Sequence, residues 1–179
     1  MSHVRDSHLL DAIEAIEPTR YDGTVWRVVR ESRDPLLASQ SGGRWDDGTF
    51  DVLYTSLEKE GAIAETRFHL KRGQPVIPSK PRYELYELTL RLAKALQLLD
   101  LASLRYLGVN TEHYGAASYE ERRNEYPRTQ EIGEAAHFLG FDGLLVPNAR
   151  YDCQNAVLFD DQCVADCKSI KKCHGIVEI

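Results

Sequence analysis

The sequence predicts one compact α+β domain in which helices flank a mixed, mainly antiparallel β-sheet. The 179 residues fit a single domain spanning 1–179, because a chain of this length can bury a core of its own. Hydrophobic residues make up 42% and charged residues 28%, which is typical of globular proteins and far from the composition of disordered chains. Five short strand patterns separated by helical segments indicate the class.

The N-terminal segment 1–20 is expected to contain a helix that ends before Pro18. Its apolar residues recur at the spacing of an amphipathic helix. These residues are Leu9 or Leu10, Ile13 and Ile16. The segment has no long apolar run, so it has the pattern of neither a secretory signal nor a membrane span. We therefore expect a cytoplasmic protein that does not enter a membrane.

Alternation of apolar and polar residues predicts the strands. They cover 24–30, 50–55, 83–92, 143–146 and 155–159. In the first strand, Arg27 shares a face with two valines. Taken alone, such an arginine is better explained by an edge position or a snorkelling side chain than by ligand binding. Tyr54, near the end of the second strand, taken alone indicates a core residue.

A helix is predicted over 57–72, directly after the second strand. Thr55 and Glu58 fit the T-x-x-E pattern of a capping box at its start. Counting 100° per residue from Leu57 places Glu65 about 60° from the centre of the apolar stripe, on its shoulder. A carboxylate in that position is half-exposed, and such residues are usually solvated charges.

A second helix is predicted over 129–140, with His137 beside its apolar face. A half-buried structural histidine is favoured there over a catalytic one. The segment 161–179 is expected to be a C-terminal tail. Cys163, Cys167, Cys173 and His174 are the possible zinc ligands. Their spacing matches no pair of zinc knuckles, so free thiols and no metal are expected.

The charge distribution argues against direct binding of nucleic acid. The net charge is −6, and the lysines and arginines are scattered singly or in pairs. A protein that neutralises a phosphate backbone usually has a basic stripe or patch. No such stripe is visible in this sequence.

The loop GGRWDDG (42–48) combines two glycines with Arg44. Glycine allows a positive φ or a close approach of the backbone, and arginine offers a rigid set of donors for phosphate or carboxylate. The combination suits an anion site. It is also found where ordinary loops enter a strand, so the loop alone does not decide between them.

Three separated segments resemble the RES domain family. GGRWDDGTFDVLYTSLEKEGAIAE contains a GxRW-type loop, a strand ending in Tyr-Thr-Ser and a helix with Ala-x-x-Glu. WRVVR is similar to the family's first strand and carries Arg27, and FDGLLVPNARYDCQNAVLF is similar to its closing segment. The matching family positions include Arg44, Tyr54 and Glu65. The resemblance extends from about residue 24 to 160.

The resemblance implies an ADP-ribosyltransferase-like fold and a toxin that consumes NAD as part of a toxin–antitoxin pair. By this resemblance Glu65, Arg44 and Tyr54 are catalytic, and Arg27, Arg44 and Tyr54 bind NAD. A carboxylate near the ribose can stabilise an oxocarbenium-like centre, and arginines can hold the two phosphates. NAD is then the substrate and no other cofactor is expected. The implied partner is an antitoxin with a helix-turn-helix domain.

Asn148 departs from the family pattern, which has serine in Pro-Ser-Ala-Arg. Asparagine keeps a donor and an acceptor but offers no nucleophilic hydroxyl, so we interpret Asn148 as an NAD-binding residue. Cleavage of NAD by water or phosphate is the favoured activity. Transfer of ADP-ribose to a protein and a non-catalytic nucleotide-binding domain are the alternatives. The sequence also leaves open whether the chain forms a homodimer.

Overall fold

A computed structural model describes residues 5–71, 81–112, 114–115 and 122–179. In the last of these ranges, the backbone is described from residue 122 and the side chains from residue 126. The elements follow the chain in an irregular alternation of helices and strands. They are α1 Ser7–Glu14, β1 Thr19–Arg30, β2 Val52–Ser56, α2 Lys59–Lys71, β3 Tyr83–Gln97, α3 Leu101–Tyr106, α4 Arg122–Phe138, β4 Gly143–Pro147, β5 Gln154–Phe159 and β6 Lys168–Val177.

The sheet is mixed and mainly antiparallel. Its strand order is β1-β2-β5-β4-β3-β6, and β1 also pairs with β3, so the pairings run from β1 through four strands and back to β1. Among the described pairings only β3 with β4 is parallel, over Ala95–Gln97. With helices packed beside the sheet, this architecture confirms the predicted α+β class.

The contact between β1 and β2 is confined to one described residue pair, Trp26 with Ser56. β1 pairs along most of its length with β3, whereas β2 pairs along its whole length with β5. Beyond the single Trp26–Ser56 pair the two strands diverge, and a gap opens between Arg27 on β1 and Thr55 on β2. This gap becomes the cleft described below.

Two apolar clusters cover the two faces of the sheet. On one face α1 and α4 pack through Ile13 and Ile132, both fully buried, against strand residues such as Val157 and against Trp45. On the other face side chains of β1, β2 and β3 pack together, including Leu53. Burial of these apolar surfaces is the main stabilising contribution to the fold.

The predicted elements all occur, with changes at their ends. The helix of the segment 1–20 is limited to Ser7–Glu14, where Asp6 caps its first turn by accepting from the backbone of His8 and Leu9, and β1 already begins at Thr19. β3 extends five residues beyond the predicted end at Leu92, to Gln97.

The predicted capping box is wrong. Thr55 lies inside β2, and its buried hydroxyl donates to the carbonyl oxygen of Ala156 at 2.7 Å, so it does not cap α2, which begins only at Lys59. The second predicted helix begins earlier than expected, at Arg122, because Pro127 is accommodated inside α4. The predicted end of α2 at residue 72 lies outside the described residues.

The C-terminal segment 161–179 contains a strand that the sequence analysis did not predict. β6 pairs antiparallel with β3, from Leu90 opposite Lys168 to Tyr83 opposite Val177. Most of its residues are exposed, because β6 lies at the edge of the sheet. Because polar residues such as its lysines and histidine occupy both faces, β6 lacks the alternation of apolar and polar residues by which strands are usually recognised.

The expectation of free thiols is wrong for two of the four cysteines. Cys163 and Cys167 form a disulfide in the turn before β6, and Cys167 packs in the second apolar cluster. Cys153 and Cys173 are free thiols. Within the described ranges, no group of three or more His, Cys, Asp or Glu side chains is placed to hold a metal ion. The helices in those ranges are also too short or too polar to cross a membrane.

The close packing of α4 on the 42–48 loop gives a stability prediction. A Cβ at Gly133 would lie 1.9 Å from the carbonyl oxygen of Trp45, whereas one at Gly140 would meet nothing within 4 Å and would only suffer the positive φ of 73°. We expect Gly133→Ala to lower the free energy of unfolding by roughly 2–4 kcal/mol, since backbone must move. Gly140→Ala, the control, should cost about 1 kcal/mol. Urea unfolding measures both, and equal midpoints would contradict the packing.

Candidate active site

A cleft of about 630 Å³ opens where β1 and β2 diverge. Its walls come from six parts of the chain: β1, β2, residues 41–45 at the start of the 42–48 loop, one face of α2, the 126–130 turn of α4, and residues 147–155, from the end of β4 to the start of β5. Arg27, Arg44, Tyr54 and Glu65, four of the five predicted site residues, line this cleft. The structure thus brings together residues that are up to 38 positions apart in the sequence.

The 42–48 loop is held by the carboxylate of Asp46, which is fully buried. Its Oδ1 accepts from the backbone of Gly48 at 3.1 Å, and its Oδ2 accepts from the Tyr54 hydroxyl at 2.6 Å. Gly42 and Gly48 have φ values of +69° and +85°, a region that favours glycine. The glycines thus allow the loop to turn tightly around a buried charge.

Tyr54 fastens this loop to β2. Besides donating to Asp46, its hydroxyl accepts from the backbone N–H of Trp45 at 3.0 Å. Burial and the neighbouring Asp46 carboxylate raise the pKa of Tyr54 well above its usual range, so the phenol stays protonated as a donor. Tyr54 lines the cleft with its hydroxyl already engaged in hydrogen bonds within the protein.

Arg44 projects into the cleft while its neighbour Trp45 is buried in the core. The guanidinium lies over the ring of Tyr114 at 4.6 Å and over that of Tyr126 at 5.0 Å, and the residue is only 9% exposed. Two aromatic faces therefore restrict the guanidinium to one orientation. The main-chain carbonyl just before it, that of Gly43, accepts from Gln130 of α4 at 2.8 Å.

Glu65 lies on the shoulder of α2, as the helical spacing predicted, with 26% of its side chain exposed. Burial raises the pKa of its carboxyl above the usual value. The positive charges of Arg150 and Arg44 and hydrogen bonds from the backbone of Ala149 and the side chain of Asn155 oppose that rise. His69, one turn further along α2, places its Nε2 3.8 Å from the carboxylate.

Arg27 also lines the cleft, and its guanidinium donates at 3.1 Å to the carbonyl oxygens of Pro35 and Leu37. Burial lowers its pKa to about 10, which still leaves it charged at neutral pH. Asn148 does not belong to the cleft lining. It is 7% exposed and lies behind Glu65, where its Nδ2 donates to Oδ1 of Asn155 at 2.8 Å.

Two residues of this site, Arg150 and Asn155, were not assigned from the sequence. Arg150 stacks on the ring of Phe68 at 3.4 Å and donates to the carbonyl oxygen of Gly115. Both residues follow β4 in the segment NARYDCQNAVLF, where only Asn148 was assigned a role. The sequence signal that could have identified them is their position close to Asn148, since both are polar residues of types that bind anions or carboxylates.

The charge of the cleft is opposite to that of the whole protein. Among the described lining residues, Arg27, Arg44 and Arg150 face a single carboxylate, that of Glu65, while the chain as a whole carries −6. A concave surface with excess positive charge attracts anions. The arrangement can hold an anionic group on arginines and stabilise a positive charge that develops beside Glu65.

Comparisons with known proteins agree with this arrangement. The NAD(+) phosphorylase MbcT of Mycobacterium tuberculosis is 26% identical over 157 residues, which are 83% of this chain and 80% of that protein. MbcT of Mycobacterium bovis matches to the same extent. In fold, the chain resembles the crystal structure of the M. tuberculosis MbcT–MbcA toxin–antitoxin complex, with a TM-score of 0.79 at 19% identity, covering 95% of this chain and 92% of that chain.

A family model described as the RES domain matches residues 24–175. The matched range contains all described residues that line the cleft, from Trp26 of β1 to Asn155 of β5. Because the match extends over most of the chain, this protein belongs to the RES domain family.

Proposed function

We propose that this protein is a toxin that cleaves the bond between nicotinamide and ribose in NAD. The observation that carries the proposal is that, among the cleft-lining residues that the structure describes, one carboxylate, that of Glu65, lies with three arginines. NAD offers a pyrophosphate for the arginines and an anomeric carbon that becomes positively charged as the bond breaks. The similarity to MbcT, an NAD(+) phosphorylase by name, supports the same substrate.

Four of the cleft residues have assigned roles in this reaction. The C–N bond breaks with its electron pair leaving on nicotinamide, which departs as a neutral molecule. Glu65 stabilises the resulting oxocarbenium-like ribose, and an oxygen of the acceptor forms the new bond at the anomeric carbon. Arg44, with Arg27, holds the pyrophosphate, and the ring of Tyr54 packs against nicotinamide or ribose. NAD is the substrate, and the reaction needs no other cofactor.

Inorganic phosphate is the acceptor we favour, since the relatives that match this chain are named phosphorylases. Purified protein incubated with NAD and phosphate should then release nicotinamide and ADP-ribose 1″-phosphate. ADP-ribose without dependence on phosphate would show hydrolysis instead, and labelled protein in a lysate would show ADP-ribosyl transfer. If calorimetry shows that NAD binds but no product forms, the protein is a non-catalytic nucleotide-binding domain.

We further propose that the protein works in the cytoplasm, where NAD is available, and that an antitoxin holds it inactive. The similarity in fold to a chain of the MbcT–MbcA toxin–antitoxin complex supports such a partner. Expression of this protein alone should stop growth, and coexpression of the product of a neighbouring reading frame should restore it. Growth arrest that no neighbouring gene relieves would argue against the pair.

Glu65→Gln tests the assigned mechanism. The substitution keeps the volume of the side chain and removes its charge, so we expect NAD affinity to stay close to that of the parent and kcat to fall roughly 10²-fold or more. Because burial disfavours the charged carboxyl, the variant should be at least as stable as the parent. Glu60→Gln, on the exposed side of the same helix, is the matched control. A Glu65→Gln variant as fast as Glu60→Gln would refute the mechanism.

Arg44→Ala tests the anion site. Loss of a charge-assisted contact to phosphate should weaken NAD binding by about 1.5–3 kcal/mol, or roughly 10- to 150-fold in Kd. Titration calorimetry measures the affinity, and circular dichroism verifies that the variant is folded. Arg67→Ala removes an exposed arginine of α2 and serves as the control for net charge. If the two variants bind NAD with equal affinity, Arg44 does not contact the phosphates.

A further inference from the structure

We propose that Asn148 is a positioning residue, which orients the side chain of Asn155 so that its NH₂ group faces the cleft and the carboxylate of Glu65. A chain of hydrogen bonds runs from two backbone N–H groups through the side chain of Asn148 to that of Asn155, which lines the cleft together with Glu65. This inference rests on the proposed function, because it takes Glu65 as the reactive carboxylate. It gives Asn148 a role that requires no contact with NAD.

The first end of the chain can only donate. Oδ1 of Asn148 accepts from the backbone N–H of Arg150 at 2.7 Å and from that of Tyr151 at 3.1 Å. Backbone N–H groups have no acceptor capacity, so the oxygen of the Asn148 amide must face them. The NH₂ group of Asn148 is therefore directed away from the turn, towards Asn155.

The orientation of Asn155 follows from that of Asn148. Nδ2 of Asn148 donates to Oδ1 of Asn155 at 2.8 Å, so the oxygen of the Asn155 amide faces Asn148. The NH₂ group of Asn155 is therefore directed to the other side, towards the cleft that Asn155 lines with Glu65. Both amides have one orientation, because the two backbone N–H groups fix the first amide and the first amide fixes the second.

Asn148 also shapes the turn that carries the other groups facing Glu65. By accepting from the backbone of residues 150 and 151, its side chain closes the turn that contains Ala149 and Arg150, two residues that line the cleft with Glu65. The backbone of Asn148 is fixed in turn, since its N–H donates to the carbonyl of Cys153 at 2.9 Å. One buried amide therefore fixes both this turn and the side chain of Asn155 at the edge of the cleft.

This role explains how asparagine can stand at position 148, where the family pattern has serine. The residue there must accept from the backbone and donate to Asn155. A serine hydroxyl can accept from a backbone N–H while donating its own proton to Asn155, so it can orient Asn155 in the same way, although its side chain is shorter. Aspartate has the shape of asparagine, but its carboxylate can only accept hydrogen bonds. Alanine can neither accept from the backbone nor donate to Asn155.

The charge of Glu65 provides a readout for the chain. The groups that face it are Arg44 from the 42–48 loop, Arg150 and Cys153 from the β4–β5 segment, and His69 from its own helix. Interrupting the chain frees the Asn155 amide to turn its oxygen towards Glu65, and a nearby amide oxygen disfavours the ionised form. The pKa of Glu65 should then rise, and because the carboxylate is the active form, the acid limb of the pH–kcat profile should move to higher pH.

The experiment compares Asn148→Ala with Asn148→Ser, two variants that differ by one hydroxyl. The pKa of Glu65 is measured by ¹³C NMR titration of carboxyl-labelled protein without NAD, with the Glu65→Gln spectrum assigning the signal. Asn148→Ala should raise this pKa and lower kcat roughly tenfold, about the effect of one hydrogen bond to a charged group, while KM for NAD changes little. Asn148→Ser should restore most of both properties.

Asn110→Ala is the control for loss of an asparagine that closes a turn, because Asn110 accepts from the backbone of Glu112 at 3.0 Å and does not line the cleft. If Asn148→Ala does not fold, Asn148→Asp replaces it and should raise the pKa of Glu65 as well. A Glu65 pKa equal to that of the parent in the folded Ala or Asp variant would overturn the proposal. Equal shifts in the Ala and Ser variants would also overturn it, by showing that volume matters and the hydroxyl does not.

The two proposals fail in different ways. If the parent protein does not consume NAD, the proposed function is wrong, while the NMR titration still decides whether Asn148 controls the ionisation of Glu65. If the parent consumes NAD and the titration shows no effect of Asn148, the function stands and the positioning role is wrong.

Discussion

A carboxylate that is three-quarters removed from water requires compensation from its surroundings, and the site is organised around meeting this requirement for Glu65. The compensation comes from different elements: a guanidinium from the 42–48 loop, a second guanidinium and the backbone N–H of Ala149 from the turn after β4, and the amide of Asn155 from β5. Burial still raises the pKa of Glu65. The fold thus accepts an unfavourable charge at the place where the proposed reaction needs a negative group.

The elements that surround Glu65 approach one another more closely than side chains normally allow. A Cβ at Gly61 would lie 2.3 Å from the hydroxyl of Ser56 and 3.1 Å from Nδ2 of Asn148, and one at Gly43 would lie 2.6 Å from the Tyr54 hydroxyl. α2 and the glycine-rich loop therefore pack directly on β2. This close approach brings Arg44 and Glu65 into one cleft although they belong to separate elements.

The fold could largely be predicted from the sequence, because its central strands and helices have regular apolar patterns. Each of the five predicted strands and both longer helices occurs. The errors fall where the pattern is weak. β6 is an exposed edge strand rich in lysine, and α4 contains Pro127, a residue that normally marks a helix boundary. The disulfide between Cys163 and Cys167 depends on how the turn folds, which spacing does not reveal.

The sequence by itself determined the fold class, the family and the residue types of the site, since motifs record which side chains are present and in what order. It correctly located Glu65 at the margin of a buried stripe, because helical geometry is local. Only the tertiary structure decided that Arg150 and Asn155 join Glu65 and that Asn148 lies behind the cleft. Whether a residue lines the cleft, and which partners its side chain bonds, depend on residues that are distant in the sequence. A sequence pattern does not show which distant residues come together in space.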